Sequence, residues 1–184
     1  MERRRIGTVA LLLIMPTFAL AQDAEPHYRG QGYGFIGLGT GTGYACYVPV
    51  TNARPSCLPF FQQVGFGGEG FLYKGLGVGA EAAYVSWGSA DYWKAWIGSA
   101  DFSYHFGRHA KPRGFDPFVL GGFSVVGPTH AGNGRGAPAG NFGGGANFWL
   151  TRHAALRFEF RDVVGANFWA YDHYLSFRIG MTFR

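Results

Sequence analysis

Residues 173–184 read HYLSFRIGMTFR. Leu175, Phe177, Ile179, Met181 and Phe183 share one parity, and Ser176, Arg178, Gly180, Thr182 and Arg184 share the other. Side chains of a β-strand point alternately to opposite faces, so this stretch has one apolar face and one polar face. The division recurs in AALRFEFRD, residues 154–162, where Leu156, Phe158 and Phe160 oppose Arg157, Glu159 and Arg161. A chain built from such segments must decide which face meets water. That choice constrains the fold and the function together.

Strand-like segments fall at 33–43, 62–73, 76–87, 94–106, 117–126, 140–150, 154–162 and 173–183. Most are long for globular strands and suit tilted strands that cross a bilayer. No long stretch carries a helical period. The connections alternate in length. Lys74-Gly75 and Thr151-Arg152-His153 are tight turns and Gly107 to Asp116 is longer and basic, whereas 44–61, 88–93, 127–139 and 163–172 are rich in loop residues. Short turns at one end and longer loops at the other are the arrangement of an eight-stranded, antiparallel, up-and-down transmembrane β-barrel. The first and fifth strands are ambiguous in parity, and Gly121-Gly122 is read as a candidate bulge.

Residues 1–21 read as a secretory signal peptide. Arg3, Arg4 and Arg5 precede an apolar run, and Ala19-Leu20-Ala21 forms the cleavage pattern, leaving 22–184 as one barrel domain. Removing that leader takes three basic residues and one acidic one, so the net charge of +5 falls to +3. A nucleic-acid partner is therefore not expected. Charged residues make up 15% of the chain, against about 25% in soluble domains. Lysine occurs only at 74, 94 and 111, each at or near an expected turn or strand end. A soluble β-protein coats its wet face with such residues.

A secreted soluble barrel also alternates, with its apolar face inward. Three features argue for the reverse here. The polar parity is mostly Gly, Ser, Ala and Asn with a few charges of both signs, which suits a cramped interior. Aromatics gather at the strand ends. Trp87, Tyr92, Trp93, Phe168, Trp169 and Tyr171 lie toward the loops, and Tyr33, Tyr73, Tyr104, Phe106, Phe148 and Phe183 toward the turns, as girdles at membrane boundaries would. The scarcity of charge fits a wall facing hydrocarbon. Leu156, Phe158 and Phe160 are then expected to face lipid. Glu69, Glu81, Asp101, Arg157, Glu159, Arg161 and Arg178 are expected to form an interior charge network, with His105 also on the inward parity. Eight strands leave an interior that side chains just fill, and charges there must be paired.

Asp116-Pro-Phe-Val-Leu-Gly-Gly, Gly143-Gly-Gly-Ala-Asn-Phe-Trp-Leu, Ala155-Leu-Arg-Phe-Glu-Phe-Arg-Asp and Leu175-Ser-Phe-Arg-Ile-Gly-Met-Thr-Phe resemble successive strands of the OmpA/OmpX-like outer-membrane β-barrel family. The resemblance spans most of the mature chain and implies a fold and an outer-membrane location rather than an activity. Members of that family usually end on an aromatic residue, whereas this chain ends Phe183-Arg184.

Other patterns have structural readings. Gly65-Phe-Gly-Gly-Glu-Gly70 matches G-x-G-x-x-G, but the motif needs a following helix, and Phe71-Leu-Tyr-Lys-Gly continues a strand into a turn. Asp101, Ser103 and His105 share a face at spacings of about 7 Å, too far for a catalytic relay along one strand. His173-Tyr-Leu-Ser176 lacks the His-x-Ser-Asn signature of lipid A deacylases. The histidines at 27, 105, 109, 130, 153 and 173 are scattered, so no metal or cofactor is expected. Cys46 and Cys57, the only cysteines, fall in the first long loop of a secreted chain and are expected to form a disulfide.

The expected function is that of a small outer-membrane barrel, a monomeric scaffold with a charge-plugged interior. Its partners are outer-membrane lipid and lipopolysaccharide, with an extracellular ligand available to the loops. A narrow pore and a lipid A-modifying enzyme are the alternatives.

Overall fold

The computed structural model describes residues 30–42, 60–87, 94–106, 114–128, 136–165 and 173–184. These form eight strands: β1 Gly30–Thr42, β2 Phe60–Tyr73, β3 Leu76–Trp87, β4 Lys94–His105, β5 Phe115–Pro128, β6 Ala137–Trp149, β7 Ala154–Val164 and β8 His173–Phe183. Each pairs antiparallel with its sequence neighbours, and β1 pairs with β8, closing the barrel. All eight expected strands are present, with ends displaced by no more than three residues. Closure leaves no unpaired edge, which meets the demand that backbone polar groups in a bilayer bond internally.

The turn end is built by local chemistry. Lys74 and Gly75 both have positive φ, 41° and 86°, which gives a two-residue hairpin its required twist. Thr151 Oγ1 accepts from the backbone N–H of His153 at 3.1 Å and of Ala154 at 3.0 Å, closing the β6–β7 turn. The terminal residue docks on the same turn. The Arg184 guanidinium lies 3.6 Å from the centre of the Trp149 ring, and its Nε donates to the Arg152 carbonyl at 3.2 Å.

Alternation is continuous along β5. Asp101 pairs with Gly122 and Phe102 with Gly121, so no bulge interrupts the Gly-Gly pair. Gly122 faces inward against the backbone and carboxylate of Asp101, where a Cβ would collide. The register shift lies instead between Phe71 and Tyr73, beside the β2–β3 turn.

The ambiguity of β1 also resolves. Gln31, Tyr33 and Phe35 point inward and are buried, while Ile36 and Leu38 point outward with 68% and 65% exposure. Tyr33 therefore does not belong to the turn-side girdle. It turns inward because its cross-strand partner is Gly67, whose missing side chain leaves room for the ring. Phe35 lies over Gly65 and Phe61 over Gly39 in the same way. Large residues over glycines make a narrow barrel fillable, and they explain Gly65 and Gly67 of the run at 65–70. Tyr73, Tyr104, Phe106, Phe148 and Phe183 do face outward. The loop-side girdle residues Tyr92, Trp93, Phe168, Trp169 and Tyr171 lie outside the described residues, as do the Trp87 side chain, residues 1–21 and both cysteines, Cys46 and Cys57.

Candidate functional site

The distinctive chemistry of this chain lies inside the barrel. β7 places Arg157, Glu159 and Arg161 on one inward row, two residues apart. The flanking guanidinium groups bend toward the carboxylate between them. Arg157 Nε and Nη2 donate to Glu159 Oε2 at 2.9 and 2.8 Å, and Arg161 Nε donates to Glu159 Oε1 at 2.8 Å.

From there the contacts cross the barrel. Arg161 Nη1 donates to Asp101 Oδ2 of β4 at 2.9 Å, and its Nη2 lies 3.3 Å from Glu81 Oε2 of β3. Arg178 of β8 donates through Nη1 to Glu81 Oε1 at 2.7 Å and through Nη2 to Gln63 Oε1 at 3.2 Å. Arg157 Nη1 stands 3.7 Å from Glu69 Oε1. The Arg157 guanidinium is also held between the rings of Tyr33 and Phe118, at 4.2 and 4.1 Å from their centres. All seven charged residues named from the sequence face inward, are buried, and stand in one connected set.

That set extends further toward the turn end than the sequence reading reached. Glu69 accepts from Gln31 Nε2 at 2.6 Å and from Ser103 Oγ at 2.5 Å. His105 lies between two carboxylates, with Nε2 3.2 Å from Glu69 Oε2 and Nδ1 2.9 Å from Asp116 Oδ2. Its ring stacks on Phe118 and meets the edge of Phe71, with centroids 5.1 Å apart in each case. Asp116 was missed because Phe118 and Leu120 share its parity, so the inward side of β5 reads as an apolar face. Tyr33, whose hydroxyl lies 3.2 Å from Glu81 Oε2, was missed for the reason given above. The Asp101, Ser103 and His105 row makes no relay among its own members. Asp101 accepts from Arg161 of β7, Ser103 donates to Glu69 of β2, and His105 meets that same Glu69 and Asp116 of β5.

Above the charges, toward the loops, the interior becomes neutral and then apolar. Ser99 and Ser124 share a hydrogen bond of 2.8 Å, and Asn141 Nδ2 donates to Ser124 at 2.8 Å. Beyond them Phe61, Val85, Ala95, Val126, Val163 and Tyr174 are almost fully buried within two residues of the loop ends of their strands. This apolar cap over a polar interior was not foreseen. Its signal was an inward apolar residue near the loop end of nearly every strand.

The outer wall inverts this pattern. From Ile36 around to Phe183 it exposes large apolar side chains, with Phe66 70% and Phe102 64% exposed. Patches this extensive on a soluble monomer are rare. Near its loop end the lipid-facing parity carries Asp162, buried and bonded to His173 Nδ1 at 2.8 Å.

No family model matches the chain, and no curated protein matches it. Solved structures do. The N-terminal β-barrel domain of Pseudomonas aeruginosa OprF is 15% identical, with a TM-score of 0.57 over 84% of this chain and 98% of that one. Neisserial surface protein A is 10% identical, with a TM-score of 0.65 over 85% and 97% of the two chains. The outer membrane protein OprG from Pseudomonas aeruginosa is 10% identical, with a TM-score of 0.53 over 84% and 94%. At these identities the likeness is one of fold. The chain has the eight-stranded up-and-down architecture of small outer-membrane barrels, as its resemblance to the OmpA/OmpX-like family implies.

Proposed function

We propose that the protein is an integral barrel of the bacterial outer membrane. It acts as a monomeric scaffold that is sealed inside and holds its loops at the cell surface. One observation carries this reading: the charges midway along the strands are inside and paired with one another, while large apolar side chains cover the outside. Only a bilayer rewards that inversion. A charge in contact with hydrocarbon costs about 2–4 kcal/mol at mid-bilayer, whereas an exposed Phe costs nothing there.

Close packing of the interior supports the scaffold over the pore. Arg161 and Glu159 span the middle of the lumen with side chains at 0% and 2% exposure, and the apolar cap lies above them. The leader of residues 1–21 would deliver the chain to the periplasm, and a Cys46–Cys57 bond would staple the first surface loop. Lipopolysaccharide and other outer-membrane lipids would surround the wall, leaving the loops for an extracellular ligand.

The experiment is fractionation followed by planar-bilayer recording. The folded protein is expected to sediment with outer membranes, to shift in gel mobility on heating, and to pass no steady current. Recovery in the soluble periplasm would overturn the membrane reading. A large, steady conductance would replace the scaffold with a pore. Altered lipid A on overexpression, read by mass spectrometry, would replace it with an enzyme.

A further inference from the structure

The inward charges do not balance. Among the described residues, the carboxylates of Glu69, Glu81, Asp101, Asp116 and Glu159 outnumber the guanidinium groups of Arg157, Arg161 and Arg178. A buried carboxylate without a cation is costly. A further positive charge is therefore called for, and His105 stands where one would count.

The His105 ring cannot avoid two carboxylates. Its backbone N–H donates to the Gly75 carbonyl at 2.9 Å, and that of Phe106 donates to the Pro117 carbonyl at 2.9 Å, so the end of β4 is pinned on both sides. Phe118 stacks on the ring, the edge contact with Phe71 holds it further, and the side chain is fully buried. Nε2 then faces Glu69 Oε2 at 3.2 Å, and Nδ1 faces Asp116 Oδ2 at 2.9 Å. A neutral imidazole has one N–H and one lone pair, so either tautomer would turn a lone pair on a carboxylate. Only the imidazolium donates to both.

The two carboxylates are not equally supported. Glu69 also accepts from Gln31 and Ser103 and lies 3.7 Å from Arg157 Nη1. Among the described residues, the Asp116 side chain bonds only to His105, and its Oδ1 has no partner. A ring that lost its proton would therefore keep the remaining N–H for Asp116 and set the Nε2 lone pair against Glu69. Around this level β7 contributes Arg157, whose guanidinium lies between the rings of Phe118 and Tyr33 of β1. β3, β6 and β8 contribute Gly77, Asn147 and Thr182, none of which titrates.

We propose that Glu69, His105 and Asp116 form a proton-binding site, a pH-dependent lock whose imidazolium ties β2, β4 and β5 together at the turn end of the lumen. Rising pH empties the site and frees Glu69 from the ring, while the Arg161 ion pairs further up the lumen keep their partners. The lock does not depend on what surrounds the outer wall.

The test has two arms, both on the full mature protein. In detergent micelles, with isotope-labelled histidine, magnetic resonance assigns the His105 ring through its contacts with Phe71 and Phe118. Both ring nitrogens are expected to carry protons at about pH 7.5, where a free imidazole is about nine-tenths neutral. A neutral His105 ring at that pH would overturn the lock, and this arm needs no variant to fold. The second arm is linkage. The unfolded chain releases the proton near pH 6.5, so the contribution of the lock is full below about pH 6.5 and falls as pH rises. Reversible urea unfolding in vesicles compares His173→Gln with His173→Gln plus His105→Gln, so that the His173–Asp162 pair is absent from both. The stability advantage of the protein that keeps His105 is expected to shrink by up to tenfold in the unfolding constant for each pH unit above about 6.5. A ratio of unfolding constants that stays level from about pH 6 to about pH 9 would overturn the lock.

Discussion

Arg161 of β7 and Asp101 of β4 meet at 2.9 Å inside the barrel, although two strands stand between them in the wall. The same guanidinium touches Glu159 and Glu81, so one buried cation answers three carboxylates from three strands. Removing one member of a buried ion set costs more than the set contributes, because the remaining charges lose their partners. Arg161→Met is therefore expected to destabilise the folded barrel by about 3–5 kcal/mol, the range for a broken buried pair in soluble proteins. Reversible urea unfolding in lipid vesicles measures it. A loss below about 1 kcal/mol would mean that water solvates these carboxylates.

The second prediction concerns the faces. Phe158 meets Phe148 edge-on, with centroids 5.6 Å apart on the outer wall, whereas Ser176 lies inside and donates to the Arg161 carbonyl at 3.3 Å. Phe158→Arg should lower folding into bilayers by about 2–4 kcal/mol, and Ser176→Ala should change it by less than about 1 kcal/mol. Folding yield into vesicles of fixed composition is the measurement. Equal yields for Phe158→Arg and wild type would mean that this wall does not face lipid.

Tyr33 and Gly67 supply the third. The ring occupies the space of the side chain that Gly67 lacks, and its hydroxyl reaches Glu81 at 3.2 Å. Gly67→Val is expected to displace the ring and destabilise the barrel by about 1–3 kcal/mol, as overpacking does elsewhere. Tyr33→Ala with Gly67→Val should recover part of that loss. Unfolding midpoints of the three proteins decide it, and an additive double variant would show that the ring and the glycine are independent.

These residues also mark what the sequence could convey. Alternation identified all eight strands, because a wall between lipid and a polar lumen enforces parity residue by residue. It assigned Leu156, Arg157 and Arg178 to their faces without ambiguity. It failed where the lumen itself is apolar. Phe35, Phe118 and Leu120 point inward, so β1 and β5 lose their contrast, and Tyr33 and Asp116 were lost with them. Pairing was legible only as a tally of opposite charges. That Arg161 reaches Asp101 while Arg157 reaches Glu69 depends on barrel stagger, which no single strand encodes.

The fourth prediction follows from the first loop. Cys46 and Cys57 lie outside the described residues, and their pairing is expected from compartment and spacing alone. Mature protein should resist thiol labelling until reduced. Reduction should leave the barrel circular dichroism unchanged, since the bond would lie beyond the lipid-embedded wall. Labelling of both thiols without reductant would refute the pairing.

The last prediction separates the two barriers in the lumen. Charges alone would suggest that neutralising them opens a leak. The structure places an apolar layer above them, where Phe61 and Tyr174 approach with ring centroids 6.4 Å apart among Val85, Val126 and Val163. A hydrophobic constriction blocks ions by excluding water, whatever lies beneath it. Glu81→Ala, Arg157→Ala and Arg178→Ala together should therefore leave single-channel recordings silent. Phe61→Ala with Tyr174→Ala should also stay silent, because the ion pairs below still fill the lumen. Only the five substitutions combined are expected to pass current, provided the barrel still folds by gel mobility. Current through the charge-neutralised triple variant alone would show that the apolar cap is no barrier and that the ion pairs do all the sealing. Silence in a folded fivefold variant would move the seal to the loops.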